Sequence, residues 1–159
     1  MLVENKFFKR RLKMGMKSGF TLVEILIVVV ILGILAAIVI PQFTDASTEA
    51  KLSSLCSDLQ TMRSQIELYK IQHNDQLPGS GGATFVQAMT GYTDINGDVA
   101  AGPGPGVYGP YIQKIPTNPF NNLNTVNLDG TVGDGSHGWE FNTTTGAFHA
   151  DDSAAHAAL

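Results

Sequence analysis

The sequence predicts an α+β protein: one long, bent N-terminal helix packed on a small antiparallel β-sheet. Three observations carry that expectation. The run Ile25–Ile40 is sixteen residues without a polar side chain. Beyond it Leu52, Leu55, Leu59, Met62, Ile66 and Tyr69 recur at spacings of three and four, a single stripe on a helix. Strand signals come late: Thr125–Leu128 ahead of Asp129-Gly130, then Trp139–Phe141 and Ala147–His149 around the turn Thr143–Gly146.

With 159 residues the chain has the size of one domain, and its core must be modest. Charged residues are only 15% of it and are unevenly spread. Residues 1–19 carry six basic side chains (Lys6, Lys9, Arg10, Arg11, Lys13, Lys17) against Glu4, whereas residues 20–159 hold four against thirteen acids. A basic head on an acidic body argues against nucleic acid as a partner, because the positive charge is not spread over a folded face. A single cysteine, Cys56, excludes an intramolecular disulfide, a zinc cluster and a CxxC redox pair.

Counted from Phe20, the apolar segment is 21 residues, which as a helix would span roughly 30 Å, about one bilayer core. The bases before it and the acids after it place the N-terminus in the cytoplasm and the rest across the membrane. A buried core helix is the first competing reading, and the remaining glycine-rich chain is too small to surround it. A cleavable secretory signal is the second, with a small-x-small site at Thr44-Asp45-Ala46. Glu24 counts against it, since it sets a carboxylate inside the apolar segment, where an ionisable group is costly and calls for a cation. Glu24 is either solvated at the headgroup level or awaiting such a partner, and no Lys or Arg lies between Lys17 and Lys51.

The stretch Lys17-Ser18-Gly19-Phe20-Thr21-Leu22-Val23-Glu24-Ile25-Leu26-Ile27 resembles the prepilin signature of type IV pilins and type II secretion pseudopilins. The resemblance is close over residues 17–43. It implies the pilin fold, and a prepilin peptidase that cuts between Gly19 and Phe20 on the cytoplasmic side and methylates the new amine of Phe20. That amine is the missing cation: in the family the glutamate matching Glu24 faces a neighbour's terminal amine in the filament core. Pro41 matches the family's helix-bending proline. The leader is long for the family, and Met14 and Met16 offer internal starts that leave the cut unchanged.

Pro41 lacks an N–H and clashes with the preceding turn, so a bend is expected there on physical grounds as well. The stripe after it could form a coiled-coil seam, but the later strands need a cover, and packing on the chain's own sheet is the preferred reading. Cys56 is expected as a small core residue. The resulting divisions are a removed leader, 1–19; a transmembrane or filament-core helix half, 20–41; an amphipathic half, 42–73; and a loop with a small sheet, 74–159. Residues 74–110 hold nine glycines and four prolines and read as surface loop, with one short helix over Thr84–Met89 capped by Thr84 and stopped by Gly91.

Several motifs fail on inspection. Gly104-Pro105-Gly106-Val107-Tyr108-Gly109 fits GxGxxG, but its prolines deny it the flanking strand and helix. Asp94-Ile95-Asn96-Gly97-Asp98 begins like a calcium loop yet has Val99 and Pro105 where glycine and glutamate belong. His73, His137, His149 and His156 have no metal-site spacing. Ser136-His137 near Asp134 lacks a nucleophile elbow. No catalytic residue, metal ligand or cofactor is expected. Calcium, bound by some major pseudopilins in a C-terminal loop, is the open alternative, with Asp129, Asp134 or Asp151 as oxygen donors.

Gly109–Phe120 and Gly138-Trp139-Glu140 with Thr145-Gly146 are similar to the major pseudopilins, and the absent cysteine pair favours them over pilus subunits. The resemblance therefore implies the major pseudopilin of a type II secretion system, a filament subunit whose assembly drives export across the outer membrane. Its partners would be copies of itself, minor pseudopilins, prepilin peptidase and the inner-membrane assembly platform. The alternative is a type IV pilus subunit serving adhesion, motility or DNA uptake. A signal-anchored periplasmic enzyme or binding module is the reading from another class.

Overall fold

The computed structural model describes residues 19–159, so the basic leader and the alternative starts Met14 and Met16 lie outside the described residues. Helix α1 spans Leu22–Gln72, with Pro41 inside it. Then come α2 (Phe85–Thr90), β1 (Tyr92–Asp94), β2 (Val99–Ala100), β3 (Val107–Tyr108), β4 (Val126–Leu128), β5 (Trp139–Phe141), β6 (Phe148–Ala150) and α3 (Ala154–Ala157). The chain forms two compact units, one ending at Phe43 and the other Thr44–Leu159.

In the first unit every described residue is exposed, including the whole run Ile25–Ile40. The helix is long and apolar enough to cross a membrane. The α-helical form pairs backbone groups along its length, as lipid requires of a spanning segment.

The second unit has its own core. Leu55, Leu59, Met62 and Ile66 of α1 pack with Phe85 and Met89 of α2 and with Trp139, Phe141, Phe148 and Ala150 of β5 and β6. The amphipathic stripe thus lies on the chain's own sheet, and only its first member, Leu52, stays partly open at 37% exposure. Phe85 sits 4.5 Å from Phe141, ring centre to ring centre, and the Trp139 indole N–H donates to the Pro116 carbonyl at 2.8 Å. Cys56 is exposed, contrary to the core placement expected of it. It follows Leu55 in sequence, but one residue turns a helix by about 100°, off the buried stripe.

The β4–β5–β6 sheet departs from the expected all-antiparallel pairing at one edge. β5 and β6 form an antiparallel hairpin, Trp139 opposite Ala150, whereas β4 runs parallel to β5, Val126 opposite Trp139. The connection between β4 and β5 is tied back by the buried Asp151 carboxylate, which accepts from the Gly133, Asp134 and His137 amides. Turned by that clamp, the chain re-enters the sheet in its original direction.

A second sheet, β2–β1–β3, falls inside residues 74–110, a stretch whose composition reads as loop. Its strands are two or three residues long, too short for alternation to show in sequence. The Asp94-Ile95-Asn96-Gly97-Asp98 motif is its first hairpin turn: Asp94 Oδ1 accepts from the Asn96 and Asp98 amides at 2.9 and 3.0 Å, and Gly97 takes φ +77°. Helix α2 begins as expected, Thr84 and Gln87 closing a reciprocal capping box and Gly91 standing at its end.

Where α1 ends, His73 is buried and stacked on Tyr69 at 3.8 Å. Its Nδ1 is 2.9 Å from the Tyr69 carbonyl, which can only accept, so this nitrogen carries the proton. Nε2 then accepts from the Thr93 hydroxyl at 2.9 Å.

Candidate filament-building end of the long helix

The residues expected to be processed and to direct assembly, Gly19, Phe20 and Glu24, lie at the start of α1. Gly19 and Phe20 precede the helix, and Phe20 is 80% exposed. A Cβ built on Gly19 would meet nothing within 4 Å, and Gly19 is not among the described glycines with positive φ. Among the described residues, nothing crowds a side chain at position 19.

Thr21 is the N-cap of α1. The Glu24 amide donates to Thr21 Oγ1 at 3.2 Å, while the Thr21 amide and hydroxyl donate to Glu24 Oε2 at 2.9 and 2.8 Å. This is a reciprocal capping box, with Glu24 at the third helical position. Besides the solvent or outside cation that the sequence offers Glu24, the structure gives it a local partner in Thr21. The signal was present, since a Thr-x-x-Glu pattern ahead of an apolar run marks a helix start. A carboxylate here also complements the positive end of the helix dipole. Glu24 Oε1 accepts from none of the described residues.

From this end the helix exposes one apolar side chain after another: Leu22 is 82% open, Ile31 51% and Ile40 63%. Such a surface marks contact with a membrane or another protein. Pro41 lies at the end of the apolar run, and α1 continues through it to Gln72.

The Ser136–His137 pair lacks the geometry of a hydrolase site. Ser136 Oγ and Asp151 Oδ2 both lie near His137 Nδ1, at 2.8 and 3.9 Å. A hydrolase triad needs its nucleophile and its acid on opposite ring nitrogens, so this arrangement cannot relay a proton. The candidate calcium donors each accept hydrogen bonds from nearby loop residues. Asp129 accepts from the Thr143 amide and hydroxyl, Asp134 from the Ser136 amide, and Asp151 from three amides of the β4–β5 connection. Hydrogen bonds to the charged form hold the Asp129 and Asp134 carboxyls below the usual carboxylate range. Among the described residues no three His, Cys, Asp or Glu side chains are grouped so as to hold a metal ion.

Comparison with known proteins bears directly on this end of the helix. The family described as the prokaryotic N-terminal methylation motif matches residues 14–40. Type II secretion system core protein G of Pseudomonas aeruginosa is 34% identical over 119 residues, which cover 74% of this chain and 78% of that protein. The protein of the same name in Aeromonas hydrophila is 31% identical over 108 residues, covering 67% and 69%. The type IV major fimbrial protein FimA of Dichelobacter nodosus is 37% identical over 88 residues, covering 55% of this chain and 53% of that one. No solved structure gives a significant match.

Proposed function

We propose a filament-building role from one premise: this chain belongs to the type II secretion system core protein G family. It is a structural subunit of a type IV pilus-like filament, the major pseudopilin of a type II secretion system, and its assembly drives protein export across the outer membrane. The observation that carries the reading is the uncovered apolar helix with a single acid, Glu24, near its start.

The chemistry follows from that helix. Before assembly, its apolar side chains face lipid, with the basic residues at 6–17 on the cytoplasmic side and the acidic head in the periplasm. Prepilin peptidase cuts between Gly19 and Phe20, leaves the helix in place, and frees an α-amino group that is methylated and remains cationic. The reference pKa of such an amine is about 8, so it is mostly protonated at neutral pH. In the filament it meets Glu24 of a neighbouring copy. Helix–helix contact replaces helix–lipid contact, and with no net hydrophobic gain in that exchange, packing and polar pairing must favour assembly. Pro41 lets the helix bend between its apolar and amphipathic halves. Minor pseudopilins and the inner-membrane assembly platform join the filament or drive its growth.

The role is mechanical, with no catalytic step and no cofactor. Because Asp129, Asp134 and Asp151 already accept from loop amides or hydroxyls, calcium should leave the melting temperature of the head unchanged, as should its removal with a chelator.

The similarity to FimA favours one other reading, a type IV pilus subunit. A deletion strain separates the two. Retention of secreted proteins in the periplasm supports the secretion filament; loss of surface pili with secretion intact supports the pilus.

A further inference from the structure

Three of the four basic side chains in residues 20–159 are engaged within the head. Arg63 donates to the Phe148 and Leu159 carbonyls, Lys70 pairs with Glu67 at 3.5 Å, and Lys51 stands 5.9 Å from the Phe120 ring centre. Lys114 is the fourth, and among the described residues it has no hydrogen bond, ion pair or ring contact.

Lys114 lines a groove of about 600 Å³ between α2 and the edge strand β4, with Val86, Thr90, Ile115, Val126 and His137. Val86 is 45% exposed there. The groove thus pairs apolar surface with one uncommitted cation on an otherwise acidic body.

The complementary feature lies on α1. Every residue of Thr44–Ser54 is exposed, although Lys51 and Leu52 lie toward the head. Asp45 and Glu49 are one helical turn apart on one face of this stretch, beside Ala46 and Ala50 at the same spacing. Neither acid has a partner among the described residues. The small alanines allow close approach of an apolar surface, and the acids ask for a cation.

We propose that the Lys114 groove is a docking surface for a second copy of this chain, receiving its Asp45–Ala50 helix segment with Lys114 against Asp45 and Glu49. The inference rests on the filament reading above, since a stack of identical copies presents Lys114 and these two acids again at every junction. Opposite charges across such a contact fix register and suppress misplaced copies more than they add affinity. A modest effect at one junction is repeated at each added subunit.

The test uses full-length processed filaments sheared from cells that carry a mixture of isotopically light and heavy chains. A carbodiimide, which joins an amine to a carboxylate with no spacer, is applied and the peptides are mapped by mass spectrometry. The expected product links Lys114 of one copy to Asp45 or Glu49 of another, as mixed light–heavy pairs. Lys114→Glu should lower filament yield several-fold, and adding Asp45→Lys and Glu49→Lys should restore it. Links from Lys114 only to other acids or to another protein would overturn the proposal, as would full filament yield from Lys114→Glu or a failed rescue. If wild-type cells make no filament, the filament reading falls instead.

Discussion

Thr21 and Glu24 hold each other at the first turn of α1: Thr21 Oγ1 caps the Glu24 amide, and Glu24 Oε2 accepts from both the amide and the hydroxyl of Thr21. The carboxylate is thereby aimed back toward Phe20, where the new amine would appear, and Oε1 is left for a partner from another chain. In the proposed filament two demands would meet on this side chain, a helix start within the subunit and a cation between subunits.

Glu24→Ala should leave membrane insertion and cleavage largely intact, because neither step uses the partner. Filament assembly, and secretion with it, should fail or slow sharply, and Glu24→Asp should fall between, its carboxylate one methylene short. An immunoblot for the processed form together with sheared-filament yield measures both effects. Wild-type yield from Glu24→Ala would reduce Glu24 to a solvated residue at the membrane edge.

Arg63 fastens α1 to the sheet. Its Nε and Nη2 both donate to the Phe148 carbonyl, at 3.0 and 2.9 Å. A fragment of residues 44–159 keeps the whole buried core and should be soluble and monomeric. In it, Arg63→Ala should lower stability by about 1.5–3 kcal/mol, the range for hydrogen bonds to charged groups, and Arg63→Lys by less. Urea titration gives the difference. Elongated oligomers joined through Leu52–Tyr69 would instead revive the coiled-coil seam.

Glu140 gives the head a pH dependence of definite sign. It is 1% exposed, Oε2 has no hydrogen-bond partner among the described residues, and burial raises its pKa from the usual 4.5. His149, opposite it on β6, works against that rise, while Asp129 and Asp151 add to it. Between 4.5 and the raised value the folded chain holds a proton that the unfolded chain has lost, so stability falls as pH rises through that window. Glu140→Gln should remove this slope. Melting temperatures from pH 4 upward, at roughly half-unit steps, would show it; equal slopes in the two proteins would contradict the assignment.

How far sequence reaches depends on how long a pattern has to repeat. The stripe from Leu55 to Tyr69 runs over four helical turns, and the structure buries each of its members. The strands at Val126, Trp139 and Phe148 stood out because β-prone residues sit between clear turns. The β2–β1–β3 sheet was hidden because a strand as short as Val99–Ala100 has no period, and the glycines and prolines around it read as loop. The direction of β4 was equally out of reach, set by Asp151 from the far side of the sheet. At the helix start, Gly19, Phe20 and Glu24 were legible as a contiguous motif, but the role of Thr21 required asking where the first backbone amides find acceptors.

The most direct test of the central claim is the intact mass of the mature chain purified from membranes, with fragmentation to read its first residues. A filament subunit of this kind should begin at Phe20 and carry one methyl group on its terminal nitrogen. A chain beginning near Ser47, as ordinary secretory cleavage after Ala46 would leave it, or one still carrying Lys17-Ser18-Gly19, would contradict the account.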